Sequence, residues 1–152
     1  MFSSKSRTIF LSGLLVVLGA CSPAEQGEEN NTDAPAEIVS LEGSKWKLVE
    51  LTVLGGFTFQ PNPTADYNIF FRSNDRLTGR SDCNDITGSW FQGSTTLRLE
   101  PFAVTRALCA PGSLHNNLAL YMKDVDAYSM QDGHLMLTTP TEGILIEFEP
   151  AE

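Results

Sequence analysis

The chain has 152 residues, a formal net charge of −9 and three cysteines, a length that suits one domain and a tail. Nineteen acidic residues against ten basic ones argue against nucleic-acid binding, because a phosphate backbone repels such a surface. Anionic lipid surfaces repel the same excess of acid.

The first twenty residues predict an export signal. Two basic residues precede an apolar run over residues 9–18, which is too short to span a membrane because a spanning helix needs about twenty residues. Residues 18–21 read Leu-Gly-Ala-Cys and resemble the bacterial lipobox, where cleavage precedes a cysteine that receives lipid. The resemblance implies a lipidated Cys21. The alternative is an ordinary signal cut after Ala20 that leaves Cys21 unmodified.

A lipidated Cys21 would make the membrane the first partner of this protein, since two or more acyl chains give stable anchoring. Ser22 stands where lipoproteins kept at the inner membrane usually carry Asp, so the resemblance implies the outer membrane, with the domain facing the periplasm. Loss of residues 1–20 leaves eight basic and nineteen acidic residues, a net charge of −11.

Residues 21–38 are predicted to form the lipidated N-terminus and a disordered acidic linker. The stretch 22–37 holds five acids and neither an aromatic nor a large aliphatic side chain. As a flexible coil, these sixteen residues would span roughly 20–25 Å, which keeps the domain near its membrane.

A single domain is predicted over residues 39–150, built mainly from short strands that Gly, Pro, Asn and Asp clusters separate. Strict alternation in the first strand places Trp46, Leu48 and Glu50 on one face and Leu51 on the other. Pro101 is expected to end the strand that begins at residue 95. The predicted strands run to about residue 54 and over 68–72, 76–80, 88–92, 95–100, 128–130, 135–137 and 144–148. The predicted turns lie at 55–56, 73–75, 93–94 and 132–133, with turn formers throughout 79–88.

One segment has helical periodicity, with Ser113 as its predicted N-cap. Its apolar stripe consists of Leu114, Leu118, Tyr121, Met122 and Val125. Seven or eight strands and one helix predict an α+β, mainly β fold: an antiparallel curled sheet or open barrel with the helix packed against one side.

The cysteines agree with export. Once Cys21 carries lipid, Cys83 and Cys109 remain, and an even pair in an oxidising compartment predicts one disulfide. Such a bridge would close a loop of about 26 residues and stabilise the fold by roughly 3.5 kcal/mol in the chain-entropy model. The alternative is two buried free thiols.

An ordered set of motifs runs through the domain. Its pieces are Leu41-x-Gly43-x-x-Trp46-x-Leu48, Gly79-Arg80-Ser81-Asp82-Cys83-Asn84, Gly88-Ser89-Trp90, Leu97-x-Leu99 followed by Thr105-Arg106-Ala107-Leu108-Cys109, and Gly133-x-Leu135-x-Leu137. The set resembles the META domain family, also called HslJ-like, over about residues 39–149. The resemblance implies envelope lipoproteins, some linked to heat shock, antibiotic tolerance or secretion. It implies no catalytic residue and no cofactor.

Two positions depart from the family pattern. Asp82 stands where Gly often precedes the Cys-Asn pair, and Asn116 or Asn117 stands where the helix often starts with an acid. Because Gly takes a positive φ at little cost, the departure at Asp82 leaves the backbone conformation there open.

The candidate site residues are family-motif positions that we expect to be structural or to lie at the surface: Trp46, Asn84, Thr105 and Arg106. Asn84 beside a bridged cysteine is expected to lock a turn through its side chain. Arg106 is expected either to pair with Asp82 or Glu100 or to stay exposed as an anion contact.

Catalytic and metal-binding motifs are weak in this sequence. No Gly-x-Ser-x-Gly elbow is present, and a Cys–His pair with His115 or His134 would need a free thiolate. Asp82, Asn84 and Asp85 suggest calcium, but the longer ligand series and the closing Glu of an EF-hand are missing. Turn formation is the simpler explanation. We expect no metal site and no enzyme.

Five aromatic residues are expected in the core or at its rim: Phe57, Phe59, Tyr67, Trp90 and Phe91. Exposed together, they would mark a partner surface. The sequence therefore predicts a non-catalytic, tethered binding or stress-tolerance module whose partner is an envelope protein or a small ligand. The alternative is a periplasmic carrier of a small apolar, lipid-like ligand inside the curled sheet.

Overall fold

The computed structural model describes residues 38–53, 55–140 and 143–152. The predicted signal over 1–20, Cys21 and the linker as far as residue 37 lie outside the described residues. Among the described residues, no helix is both long and apolar enough to cross a membrane.

The described part of the domain contains nine strands and one short helix. Nearly all of the predicted elements are present, and they follow the predicted order. The strands are β1 (Lys45–Val53), β2 (Phe57–Phe59), β3 (Tyr67–Arg72), β4 (Arg76–Ser81), β5 (Asn84–Gln92), β6 (Leu97–Val104), β7 (Ala127–Gln131), β8 (His134–Thr138) and β9 (Leu145–Pro150). The helix α1 (His115–Met122) lies between β6 and β7.

All strand pairs are antiparallel and form one sheet in the order β6-β5-β4-β3-β1-β9-β8-β7, with β2 added beside β1. The two ends of the sheet meet at one bridge between Thr96 and Ala127. Leu97 N–H donates to Asp126 O at 3.1 Å, next to that bridge. The sheet therefore curls into a nearly closed barrel whose seam lies between β6 and β7. The predicted mainly β, α+β class with one packed helix is confirmed.

The core fills the inside of this barrel. Inward-facing side chains from all parts of the sheet, such as Leu48, Ile69, Leu99 and Phe148, join one buried cluster. Leu118 of α1 belongs to the same cluster, and the helix packs against β4 and β6. The helix thus contributes its predicted apolar stripe to the core.

The strict alternation expected in β1 is wrong after Leu48. The register with β9 shifts between Leu48 and Glu50, so that Val49 forms a β-bulge. An extra residue on one strand moves every later side chain to the opposite face. Leu51 therefore joins Trp46 and Leu48 in the core rather than facing away from them.

The expected end of a strand at Pro101 is also wrong, because β6 continues to Val104. Pro101 lies where the β5–β6 register shifts, and β6 is the last strand of the sheet on that side. An edge strand at a bulge tolerates the missing N–H of proline. The turn-rich stretch 79–88 likewise contracts to a tight connection at 82–83 between two long strands.

The helix starts one residue later than predicted. Leu114, not Ser113, is the N-cap residue, and it makes no side-chain capping hydrogen bond. The Ser113 hydroxyl still accepts the His115 N–H at 3.2 Å, and Leu114 N–H donates to the hydroxyl of Tyr67 at 2.7 Å. The core tyrosine thus takes over part of the role expected from a cap.

Candidate functional site

A disulfide joins the β4–β5 connection to the segment after β6. The Cys83 and Cys109 sulfurs are bonded, with the two Cα atoms 5.4 Å apart and the two residues 26 positions apart in sequence. The predicted bridge is confirmed, and the alternative of two free thiols is wrong for this structure. The bond fixes one end of residues 105–109, which we call the clamped loop.

Asn84, the first residue of β5, holds the middle of the clamped loop. Its side chain is completely buried, at 0% exposure. Oδ1 accepts the Ala107 N–H at 2.7 Å, and Nδ2 donates to Ala107 O at 3.1 Å. The same Nδ2 lies 3.3 Å from the Cys83 sulfur and 3.2 Å from the Cys109 sulfur. One amide therefore satisfies both backbone groups of Ala107, as a neighbouring strand would.

Thr105 fixes the start of the clamped loop. Its hydroxyl donates to Asn84 Oδ1 at 2.9 Å and accepts the Asp85 N–H at 3.0 Å. Its own N–H donates to Asp85 O at 3.1 Å. The expectation that Asn84 locks a turn through its side chain agrees with these contacts, although the segment it holds is distant in sequence.

The side chains of the clamped loop point outward. Arg106 is exposed, and Leu108 is fully exposed at 101%. Neither of the acids considered for Arg106, Asp82 and Glu100, forms an ion pair with it among the described residues. The structure therefore agrees with the exposed alternative for Arg106. Nothing in the sequence distinguishes Leu108 from a core leucine, so its exposure was not foreseen.

Asp82 adopts the left-handed conformation that a glycine would favour, with φ at 59°. Its N–H donates to Asp66 O at 2.7 Å, and its carbonyl accepts from Arg80 Nη2 at 3.2 Å. Asp tolerates this region better than most residues because its short polar side chain bonds locally. Asp82 therefore adopts the backbone conformation that glycine, the residue of the family pattern, would favour.

Two of the three residues that suggested calcium have other side-chain partners. Asp85 forms an ion pair with Arg80 at 2.7 Å, and the Asn84 amide is committed to Ala107. Within residues 38–53, 55–140 and 143–152, no group of three or more His, Cys, Asp or Glu side chains is placed to hold a metal. Of the three residues expected to form a turn, only Asp82 lies in one, whereas Asn84 and Asp85 begin β5.

Trp46 belongs to the core rather than to the surface. It is buried in β1 opposite Ile69, and its indole N–H donates to the Ser44 hydroxyl at 2.7 Å. Tyr67 and Trp90 are also buried. The other three predicted aromatic residues, Phe57, Phe59 and Phe91, are exposed.

The two histidines form separate polar contacts. His115 Nδ1 lies 3.0 Å from the Ser81 hydroxyl, and Ser81 is completely buried. Because that hydroxyl is buried, it is not accessible to a substrate in this structure. The contact between the two side chains connects α1 to β4. His134 contacts Glu147 across β8 and β9 at 2.5 Å. Sequence reasoning missed both pairs because they depend on tertiary packing.

The family comparison covers most of the chain. The family model described as META domain matches residues 39–152. No match is found among curated proteins.

Two solved structures have the same fold. A protein from Burkholderia xenovorans, solved by NMR, is 18% identical with a TM-score of 0.63, over 73% of this chain and 83% of that one. The crystal structure of a DUF4847 family protein from Bacteroides vulgatus is 16% identical with a TM-score of 0.52, over 72% of this chain and 93% of that one. At these identities the likeness concerns the fold alone. Together with the family match and the clamped Cys-Asn and Thr-Arg-x-x-Cys motifs, it leads to one conclusion: the chain belongs to the META domain family.

Proposed function

We propose that this protein is a non-catalytic envelope lipoprotein that binds another envelope protein through the clamped loop. The main support for this proposal is that Leu108 is fully exposed on a segment that the disulfide and Asn84 hold in place. Rigid scaffolds that display exposed loop residues are a common basis of binding. Membership of the META domain family also supports the proposal.

The chemistry of the loop suits a protein partner. Burying a leucine side chain contributes roughly 1.5–3 kcal/mol, and arginine is enriched among the residues that dominate interface energies. Leu108 and Arg106 lie two residues apart and are both exposed. Because the backbone beneath them is already fixed, binding loses less conformational entropy than it would with a flexible loop.

Lipid attachment at Cys21 would keep this loop close to the membrane. The acidic linker limits the reach of the domain to roughly 20–25 Å on average. The mature net charge of −11 repels anionic surfaces, so the lipid would supply the attachment and the loop the specificity. The partner would then be a protein of the same envelope layer.

The alternative of an apolar-ligand carrier has less support. A carrier needs an empty apolar interior, whereas the inward-facing side chains of the described barrel form a continuous buried cluster. The cavities of the described residues are surface grooves lined by a mixture of polar and apolar residues from strands and loops. We therefore place the working surface outside the barrel.

A photo-crosslinking residue at position 108, in the full chain in intact cells, tests the binding proposal. Position 91 is a matched control because Phe91 is also an exposed apolar residue, at 49%. We expect a defined crosslinked protein from position 108 that is absent from position 91 and lost with Arg106→Glu. Equal crosslinking from both positions, or none from position 108, would contradict the proposal.

The anchor has its own test. A Cys21→Ala variant should lose metabolic lipid labelling and move from the membrane to the soluble periplasmic fraction. Cys83 and Cys109 serve as internal controls, since they should stay bridged. A variant that keeps its lipid label would show that Cys21 is not the modified residue.

A further inference from the structure

Two arginines face each other at the end of the β3–β4 hairpin. Arg72 and Arg76 are direct cross-strand partners, on the outer face opposite the buried Phe71 and Leu77. Like charges in this arrangement destabilise a sheet. Neither arginine forms an ion pair with an acid among the described residues. The hairpin therefore concentrates positive charge that the described domain does not neutralise by direct contact, in a protein that is acidic overall.

Arg72 is held in one orientation. Its Nε donates to the Thr78 hydroxyl at 2.7 Å, and its guanidinium carbon lies 4.2 Å above the centre of the Phe70 ring. A cation over an aromatic face gains electrostatic attraction, and the hydrogen bond fixes its rotation. The two terminal Nη groups remain oriented in a fork that matches an oxyanion.

The turn between the arginines is held from the neighbouring strand. Asn74 and Asp75 have φ of 57° and 56°, a region that non-glycine residues rarely adopt. The Trp90 indole N–H donates to Arg72 O at 3.0 Å, and its backbone N–H donates to Asp75 O at 2.9 Å. This single residue of β5 therefore fixes both sides of the turn.

A groove of about 310 Å³ lies beside this turn. Its lining carries two arginines and one glutamate, a formal sum of +1, and Asp75 of the same turn is not part of that lining. Its volume is at the lower end of the range for small-molecule sites, roughly 300–1,000 Å³. We call it the arginine groove, and its lining includes Glu42, Phe70, Arg72, Ser73, Asn74 and Arg76.

We propose that the arginine groove binds the phosphate or carboxylate group of a small hydroxylated molecule, such as an acidic sugar unit. The oxyanion would lie between Arg72 and Arg76 and remove the repulsion between them. Glu42 would accept hydrogen bonds from ligand hydroxyls, while Ser73 and Asn74 offer both donors and acceptors. This site is separate from the clamped loop and does not depend on its proposed role.

The groove and the clamped loop lie at opposite ends of β4. The β3–β4 turn precedes Arg76, and the Cys83 connection follows Ser81. Six residues of strand separate them by roughly 17–20 Å, so one small ligand cannot occupy both. A failure of loop crosslinking would therefore leave the groove proposal intact, and the reverse also holds.

Titration calorimetry on the full chain in nonionic detergent, at low ionic strength, tests the groove. The probes are glucose 6-phosphate, glucuronate and uncharged glucose. We expect both anions to bind, and glucose to bind at least about tenfold more weakly. Arg72→Gln and Arg76→Gln should each weaken anion binding at least about tenfold. Arg98→Gln should leave it unchanged, since Arg98 is exposed on β6 and outside the groove.

The thermal stability of the free variants separates a binding role from a structural one. Removing one of two opposed like charges should raise the Tm of Arg76→Gln slightly while anion binding is lost. A lower Tm for Arg76→Gln would show that Arg76 has a structural role and would contradict the proposal. So would the absence of anion binding, or equal weakening by Arg98→Gln.

Vesicles distinguish a free ligand from a lipid headgroup, because the headgroup of phosphatidylglycerol also combines a phosphate with hydroxyl groups. In the Cys21→Ala variant, which lacks the proposed lipid anchor, binding to phosphatidylglycerol vesicles that requires Arg72 and Arg76, with no binding to phosphatidylcholine vesicles, would place the oxyanion on a lipid. Binding of the soluble sugars alone would place it on a free molecule. Vesicle binding that both substitutions leave unchanged would overturn the lipid version.

Discussion

At each end of β4 an exposed segment is held in a fixed conformation, but the contacts that hold it differ. At each end an exposed segment carries arginine, namely the clamped loop and the β3–β4 turn. Non-glycine residues with positive φ occur at both ends: Asp82 in the β4–β5 connection, and Asn74 and Asp75 in the β3–β4 turn. The clamped loop is held by a disulfide and a buried amide. The β3–β4 turn is held by hydrogen bonds from Trp90.

Sequence separation explains the difference. The β3–β4 turn connects strands that are already paired, so closing it orders few residues. The clamped loop must be brought to Asn84 from more than twenty positions along the chain, which costs more loop-closure entropy. A covalent bond reduces that cost by restricting the unfolded chain, although part of the effect is enthalpic. A surface segment that pairs with residues distant in sequence therefore needs the stronger clamp.

The largest expected effect follows from removing the covalent clamp. Replacing Cys83 and Cys109 together by Ser should lower the free energy of unfolding by about 3–4 kcal/mol, as expected for a loop of this length. Urea unfolding of the oxidised protein and the double variant measures the difference. A loss under about 1 kcal/mol would mean that hydrogen bonds alone hold the clamped loop, and the contrast between the two ends would disappear.

The buried amide should come next. Asn84→Asp keeps the shape of the side chain but removes the donor to Ala107 O and buries a carboxylate, so we expect a loss of about 2–3 kcal/mol. Asn116→Asp is a matched control, because Asn116 is exposed in the first turn of α1 and an acid is tolerated there. Thermal unfolding of both variants compares them. Equal Tm values would contradict the role assigned to Asn84.

The hydrogen bonds from Trp90 that hold the β3–β4 turn should contribute less to stability than the disulfide or the Asn84 side chain. Trp90→Phe retains a ring beside Phe71, whose centre lies 5.3 Å from that of Trp90, but removes the donor to Arg72 O. We expect a loss of about 1–2 kcal/mol from the missing hydrogen bond and the smaller ring. Affinity for glucose 6-phosphate should fall in parallel. A loss as large as that of the disulfide variant would reverse the ranking of the two ends.

The smallest effect concerns the backbone at position 82. Asp82→Gly should stabilise the protein by up to about 1 kcal/mol, because relief of the left-handed strain exceeds the entropy that glycine loses. Asp82→Ala should destabilise it by about 1 kcal/mol, since alanine neither relaxes there nor bonds locally. Urea unfolding resolves the sign. Stabilisation by Ala would show that the strain at position 82 is negligible.

Local patterns in the sequence predicted most of the framework. The turns at 73–75 and 132–133, the stripe of α1 and the Cys83–Cys109 pair each depend on neighbouring residues or simple chemistry, and each is present. The opposition of Arg72 and Arg76 also had a signal, because a three-residue turn between two strands fixes which residues face each other.

Other features depend on contacts that a local pattern does not contain. The bulge at Val49 turns Leu51 inward, and the bulge near Pro101 lets β6 continue. The pairing of Asn84 with Ala107 follows from where the chain returns after β6. The short strand β2 was not predicted at all, since its residues are exposed and it is stabilised by pairing with β1.

Hydrogen exchange at the Ala107 amide tests whether the Asn84 side chain holds the clamped loop in place. That amide belongs to an exposed residue but donates to the buried Asn84 side chain. We predict exchange slower by at least about tenfold in the native protein than in Asn84→Ala, which removes the acceptor of this N–H, with the β3–β4 turn unchanged. Equally fast exchange in both proteins would show that the loop is not held, and the proposed binding surface would lose its physical basis.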